Sequence, residues 1–313
     1  MLRTECRLDS AMPPITSAEL IINPKSGVSD KEAVRRRLAE LFAASRVEAS
    51  ILIAKDGAHM IELARRAARG RSQVIVAGGG DGTISSVASA IVGSDKTLGV
   101  LPLGTLNHFA QDLQIPLDLD AAAQLIMSGD VINIDVGEVN GHIFLNNSSL
   151  GLYPTIVRER EKQQRLGYGK WPAFVWAALS VLRRYPFLDV RLYADGKKFA
   201  SRTPFVFIGN NEYAMESFKI GRRVCLNAGK LSLYITNRTG RLGLVRLGLR
   251  ALFGRLRNDK DFLAMRTDAV TIETRRKRLR VAFDGEVDIL ATPLHYHVRP
   301  GALRVIAPEQ EKQ

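Results

Sequence analysis

The stretch VIVAGGGDGT, residues 74–83, decides the reading of this chain: an apolar strand runs directly into three glycines, an aspartate, a fourth glycine and a threonine. Residues 73–77 read as a buried strand and 84–92 as a helix. Gly78, Gly79 and Gly80 carry no Cβ, so backbone N–H groups can converge there on a phosphate. The following helix turns its positive N-terminal end to the same anion. A plain tight turn needs one or two glycines. Asp81 can bind a metal, orient a hydroxyl or accept its proton, and it can also cap the helix, a role Asp fills well.

Working outward, residues 19–132 alternate short β-rich runs with helical patterns. Strands are expected over 19–22, 47–54 and 97–101, and helices over 30–45, 60–69 and 119–128. Val34, Leu38 and Leu41 share one face of the first helix. This alternation predicts a doubly wound α/β domain over residues 17–130, whose ligands bind beyond the carboxyl ends of its strands. Two further loops follow strands on that edge, NPKSG (23–27) and PLGTLN (102–107). Each alone is more often a turn; together with the glycine loop they assemble what a nucleotide site requires.

After Gly129 the texture changes. Strand-like runs at 131–139, 142–147, 188–194, 203–209, 230–236, 269–274, 279–283 and 294–298 predict an antiparallel β-rich sandwich over residues 131–300. Helical segments are expected at 171–185 and 241–256.

The 313 residues, 46% hydrophobic and 25% charged, exclude wholesale disorder and collagen-like repeats. Cys6 and Cys225 stand alone, with no CxxC or Cys/His spacing, which favours a reducing compartment and no structural zinc. Net charge is −3 over residues 1–150 (14 Lys and Arg against 17 Asp and Glu) and +16 over 151–313 (31 against 15). Such asymmetry points to a second half that touches something anionic. No aromatic-basic motif or recognition-helix pattern accompanies it, so no nucleic-acid partner is expected. The first residues read as a short loose leader rather than a signal peptide, and the longest apolar run, 171–182, is too short to span a bilayer.

Three segments of the basic half fit an anionic interface. Residues 241–257 place Leu242, Val245, Leu249, Leu252, Phe253 and Leu256 at helical spacing with arginines between them, the pattern of an interfacial helix or of a core helix with snorkelling arginines. Residues 170–184 carry Trp171, Phe174 and Trp176. The run RRKRLR, 275–280, can bind phosphate head groups, although such runs are more often solvated loops. His295 and His297 lack a third ligand nearby and read as core or edge histidines.

NPKSG, GGGDGT, PLGTLN and a late FDGE (283–286), in that order across nearly the whole chain, resemble the diacylglycerol kinase catalytic-domain family, which includes bacterial lipid kinases and sphingosine kinases. The resemblance implies an N-terminal domain related to those of NAD kinases and rejoined by the tail 301–313, a lipid-side β domain, and Mg-dependent transfer of the ATP γ-phosphoryl group to the hydroxyl of a lipid such as diacylglycerol or a long-chain base. PLGTLN with FDGE separates the chain from NAD kinase itself. By position, Asn23 and Ser26 would contact the nucleotide, Gly78, Gly79, Gly80, Gly82 and Thr83 its phosphates, and Thr105 and Asn107 the triphosphate side. Asp81 would meet the Mg or γ-phosphate region. Asp284 and Glu286 would supply the catalytic carboxylates, with the choice of base between them open; apart from the resemblance, DG is also a strong hairpin-turn signal.

Two positions depart from the family pattern. A threonine is absent after Ile53, Ala54 and Lys55. The family's Asp-Asp-Gly, which helps hold a structural Mg in bacterial diacylglycerol kinases, reads Asn227, Ala228 and Gly229. The expected enzyme works in the cytoplasm against the inner face of an anionic membrane, with a homodimer left open. The competing readings are a catalytically impaired lipid- or nucleotide-binding regulator and a soluble enzyme of the NAD kinase type.

Overall fold

The computed structural model describes residues 15–24, 30–151, 187–212, 223, 225–236 and 262–309. The chain divides into two compact units, residues 1–136 with 300–313 and residues 137–299. The strands β5 (Asp130–Val139) and β16 (Leu294–Ala307) each run across that division.

In the first unit β1 (Ser17–Ile22), β2 (Glu48–Ile53), β3 (Val74–Gly79) and β4 (Thr97–Pro102) form a parallel sheet in the order β2-β1-β3-β4. The end of β16 extends it, with Arg304 and Val305 beside Thr97 and Leu98. All six residues of β3 and of β4 are buried, as continuous apolar runs covered by helices on both faces must be. Helices α1 (Lys31–Ala44), α2 (Gly57–Ala68), α3 (Asp81–Ile91) and α5 (Leu119–Ser128) supply the crossovers. Three have a side-chain cap: Asp30 accepts from Ala33 N, Asp56 from His59 N and Asp118 from Ala121 N. On α1 the buried residues are Val34, Leu38 and Phe42. Leu41 is half-buried, because a strict i, i+4, i+8 row, and not the i+7 position, faces the sheet.

The second unit is an antiparallel sandwich. One sheet has the order β12-β11-β10-β7-β14-β15, built from β12 (Phe262–Thr267), β11 (Leu231–Thr236), β10 (Phe205–Asn210), β7 (Asn147–Gly151), β14 (Arg278–Phe283) and β15 (Glu286–Ala291). Opposite it run the start of β16, β13 (Ala269–Thr274), β8 (Leu188–Ala194) and β9 (Lys197–Thr203), with β6 (His142–Phe144) paired to the end of β5. Leu150, Ile208, Leu233, Val281, Leu192, Ile272 and Tyr296 contribute to one core between these faces. Tyr296 is fully buried and hydrogen-bonds Ser148 Oγ at 3.0 Å; burial raises its phenol well above the usual tyrosine range.

The expected single strand at 142–147 is two, β6 and β7, parted at Leu145 and Asn146. Strands β9, β12 and β15, absent from the sequence reading, are all present. The expected helices at 171–185 and 241–256 lie outside the described residues. No helix among the described residues is long and apolar enough to cross a membrane.

Candidate functional site

The loops after β1, β3 and β4 meet in the first unit. Asn23 N donates to Gly78 O at 2.8 Å, and Asn23 Nδ2 donates to Thr83 Oγ1 at 2.7 Å. Leu103 N donates to Gly79 O at 3.0 Å. Glycine is obligatory at two contacts: a Cβ on Gly79 would stand 2.4 Å from Thr83 Oγ1, and one on Gly104 would stand 2.4 Å from Gly80 Cα. Helix α3 begins behind this crossing. Its N-cap is Gly80, which has no side chain to accept a capping bond, so the orphan N–H groups of the first turn are offered outward. A helix N-terminus of this kind, behind glycines packed backbone to backbone, suits the phosphates of a nucleotide.

Asp81 does not cap its own helix. It is the first residue of α3, and its carboxylate reaches the start of α4 (His108–Asp112), where Oδ2 accepts from His108 N at 3.1 Å and Oδ1 from Phe109 N at 2.9 Å. The N-cap of α4, Asn107, is left-handed (φ 50°) and makes no capping bond there. Its amide instead closes the preceding loop, Oδ1 accepting from Gly104 N and Nδ2 donating to Pro102 O and Gly104 O. Asn107 and Thr83 are buried and shape the loops from within, whereas Thr105 is exposed. Ser26 lies outside the described residues. Removing the Asp81 carboxylate as Asp81→Ala is expected to lower stability by about 1–2 kcal/mol, because two N–H groups lose their cap; a thermal melt reads it.

No group of three His, Cys, Asp or Glu among the described residues could cage a metal ion. Asp81 keeps lone pairs for one contact. The donor set therefore fits a Mg that arrives bound to nucleotide phosphates and takes a single protein carboxylate. The accessory site of the Asp-Asp-Gly position does not fit. Asn227 Oδ1 accepts from the Cys225 thiol at 2.8 Å, Ala228 offers only its N–H, to Asn211 Oδ1, and Lys230 brings a cation, ion-paired to Asp268, which raises its pKa.

In the second unit FDGE is a two-residue hairpin turn. Phe283 pairs with Glu286, and Asp284 (φ 49°) and Gly285 (φ 88°) are both left-handed, as a type I′ turn requires. The turn aspartate also does more. Buried at 9% exposure, its Oδ2 accepts from Leu145 N at 2.6 Å and its Oδ1 from Asn146 N at 2.8 Å and Asn147 N at 3.2 Å. That grip parts β6 from β7. From the other side, Leu145 O accepts from Arg223 Nη1 at 2.6 Å and Asn210 Nδ2 at 2.8 Å, and Arg223 Nη2 donates to Asn146 Oδ1 at 3.1 Å. A buried guanidinium and a buried carboxylate thus share one peptide. Arg223, Asn146 and Asn210 are missed by sequence reasoning, since one arginine among many basic residues gives no signal.

Glu286 opens β15 with a carboxyl exposed by accessible area yet crowded by neighbouring atoms. Its pKa is raised, first by that desolvation and then by the charge of Asp284. It has no hydrogen-bond or ion-pair partner among the described residues. Of the two carboxylates, Asp284 is committed to the fold and Glu286 is available for proton transfer. His295, exposed, meets Thr271 Oγ1, and His297, half-buried, lies 3.5 Å from Glu138.

The family model described as diacylglycerol kinase catalytic domain matches residues 17–139, and that described as YegS C-terminal NAD kinase beta sandwich-like domain matches 153–307. The chain is 28% identical over 275 residues to the diacylglycerol kinase of Bacillus subtilis, covering 86% of this chain and 89% of that protein. To the diacylglycerol kinase of Staphylococcus aureus it is 29% identical over 198 residues, 61% of each chain. A crystal structure from Bacillus anthracis strain Sterne, proposed to be a diacylglycerol kinase, matches with TM-score 0.76 and 25% identity over 95% of this chain and 99% of that one.

Proposed function

Because this chain belongs to the diacylglycerol kinase catalytic-domain family of lipid kinases, we propose that it transfers the γ-phosphoryl group of ATP to the hydroxyl of a membrane lipid, diacylglycerol or a long-chain base. The observation that carries this reading is the pairing of chemistries in one chain. The first unit offers an anion-binding helix start behind a glycine crossing, and the second a proton acceptor, Glu286, beside a carboxylate fixed by three amides.

In the proposed reaction Glu286 takes the proton from the lipid hydroxyl while its oxygen bonds to the γ-phosphorus. The bond from that phosphorus to the β–γ bridging oxygen breaks, and ADP leaves. Phosphoryl transfer is mostly positioning and charge neutralisation. The α3 start, from its Gly80 cap into Thr83, would hold the phosphates, whereas Gly78 and Gly79, expected there from the sequence, are buried and paired within β3; Asp81 fixes α4 and would take the Mg that travels with ATP, which would neutralise developing charge. Asp284 orients the turn and raises the basicity of its neighbour. The +16 of the second half supports a reading in which the work is done at an anionic membrane surface.

The test is incubation of the purified chain with γ-labelled ATP and Mg, with mixed micelles of diacylglycerol, monoacylglycerol, sphingosine, ceramide or no lipid. Label in one lipid, lost in Glu286→Gln, is the expected result. ATP binding with no labelled lipid would move the assignment to a regulator, the reading that Asn227 and Ala228 favour.

The raised Glu286 pKa sets a pH dependence. A base must be ionised, so turnover is expected to fall with acidity through a pKa above the ordinary glutamate range, and that limb should vanish in Glu286→Gln. Stability runs the other way. A carboxyl whose pKa is higher folded than unfolded favours the fold while protonated and loses that contribution as pH rises from the unfolded to the folded pKa. Parallel pH series of turnover and melting temperature would separate the two.

A further inference from the structure

Two cavities lined by described residues of the second unit differ in charge. The larger, about 370 Å³, is lined by Arg191, Arg202 and Arg275 but also by Asp189 and Glu273, so its charges are largely matched from within. The other, about 210 Å³, is lined by Arg276, Arg278 and Arg280 together with Gly151, Leu188, Leu279 and Ile289, and among the described residues by no acidic one. None of its three arginines makes an ion pair among the described residues.

The hairpin register explains the arrangement. Arg280 pairs with Ile289 and Arg278 with Ala291, so these residues share one face of β14 and β15. Leu279 and Leu290, paired on the opposite face, are buried in the core. Both arginines, with Arg276 in the bend between β13 and β14, are exposed, and Ile289 beside the pair is 55% exposed. Guanidinium groups stay charged at any physiological pH and take phosphate in planar, two-pronged fashion. Three of them on one small cavity repel one another until an anion arrives. Free phosphate has no use for a large exposed isoleucine, whereas a phosphodiester at the lip of an acyl region does. The cavity is also below the roughly 300–1,000 Å³ of whole-ligand sites, the size of a head-group fragment and not of a nucleotide.

From these contacts we infer that the cavity of Arg276, Arg278 and Arg280 is a docking site for the phosphodiester of an anionic phospholipid, with Ile289 against the acyl region. It is separate from the lipid that accepts the phosphoryl group. The choice of a membrane source rests on the lipid kinase reading, but the site itself does not.

The test is flotation of the full chain with vesicles of phosphatidylcholine alone or with added phosphatidylglycerol, without nucleotide. The native chain is expected to bind only the second. Arg278→Gln with Arg280→Gln should weaken binding about 25-fold, at roughly fivefold for each basic contact near the surface. Ile289→Ser should weaken it severalfold, and Lys197→Gln with Lys198→Gln, an equal charge loss on β9, by less than twofold. Equal losses in the two double variants would overturn the inference, since the effect would then be general charge. So would calorimetric binding of inorganic phosphate to the native chain combined with unchanged flotation of the arginine variant. The substituted side chains are exposed, and unchanged melting temperatures would confirm intact folding. A chain that floats as expected but labels no lipid would refute only the kinase reading; one that labels a micellar lipid but floats irrespective of these arginines would refute only this site.

Discussion

Asp284→Ala is expected to remove both activity and stability, and Glu286→Gln to remove activity alone. The two carboxylates are two residues apart and look alike in sequence, yet their surroundings differ in kind. Asp284 accepts from three backbone N–H groups on the β6 to β7 connection while buried at 9% exposure. Truncation leaves those donors unsatisfied, and hydrogen bonds to charged groups contribute about 1.5–3 kcal/mol each, though not additively. It also puts alanine at φ 49°, where a Cβ is strained. A loss of about 3–5 kcal/mol follows, a melting temperature lower by about 10 °C. Asp284→Asn tolerates the left-handed turn but has one acceptor oxygen and aims an NH2 at a backbone donor, so it should fall between. Glu286 holds nothing in place. Glutamine there should cost about 10²–10⁴ in turnover, the usual range for a lost general base, with melting at neutral pH unchanged or slightly raised, because the substitution removes a charge that its surroundings disfavour. A Glu286→Gln chain that turns over normally would end its role as the base; an Asp284→Ala chain that melts like the native would contradict the three-amide grip.

This contrast marks where the sequence stops being legible. The parallel sheet announces itself because its central strands are buried on both faces and read as apolar runs, and the chain punctuates them with glycines and capping aspartates. The strands missed in the second unit, β9, β12 and β15, are all at sheet edges. Edge strands keep charged and polar side chains that discourage pairing with other chains, which erases the alternation a reader depends on. KKFASRT of β9 is such a case. The candidate loops were visible for a related reason: glycines and a DG turn are local backbone requirements. The partners of those loops were not. Asp81 capping a helix 27 positions away, and Arg223 meeting Leu145 across 78, are contacts at long sequence separation with no periodic trace. Sequence therefore singled out the candidate residues but left open which carboxylate is structural. Only the hydrogen bonds separate Asp284 from Glu286.

Gly104→Ala is expected to disable the proposed nucleotide site although residue 104 is not itself among those that would contact the ligand. A Cβ at position 104 would lie 2.4 Å from Gly80 Cα and 2.7 Å from Asn107 Oδ1. The first neighbour is backbone and cannot rotate aside, so one loop must retreat. Either retreat breaks several things at once. The Gly104 N to Asn107 bond opens, Asn107 releases Pro102 O, and the start of α4 moves off the Asp81 carboxylate. Displacements near 1 Å in positioning elements cost on the order of a hundredfold in rate, and ATP affinity should drop at least tenfold alongside a stability loss of about 1–3 kcal/mol for overpacking. Gly57→Ala is the matched comparison. A Cβ there meets nothing within 4 Å, and the site is the first residue of α2, so the change should be neutral or slightly stabilising. Titration of a fluorescent ATP analogue against both variants decides it. Native affinity in Gly104→Ala would mean that the glycine crossing is only a packing solution, and that the phosphates are held elsewhere.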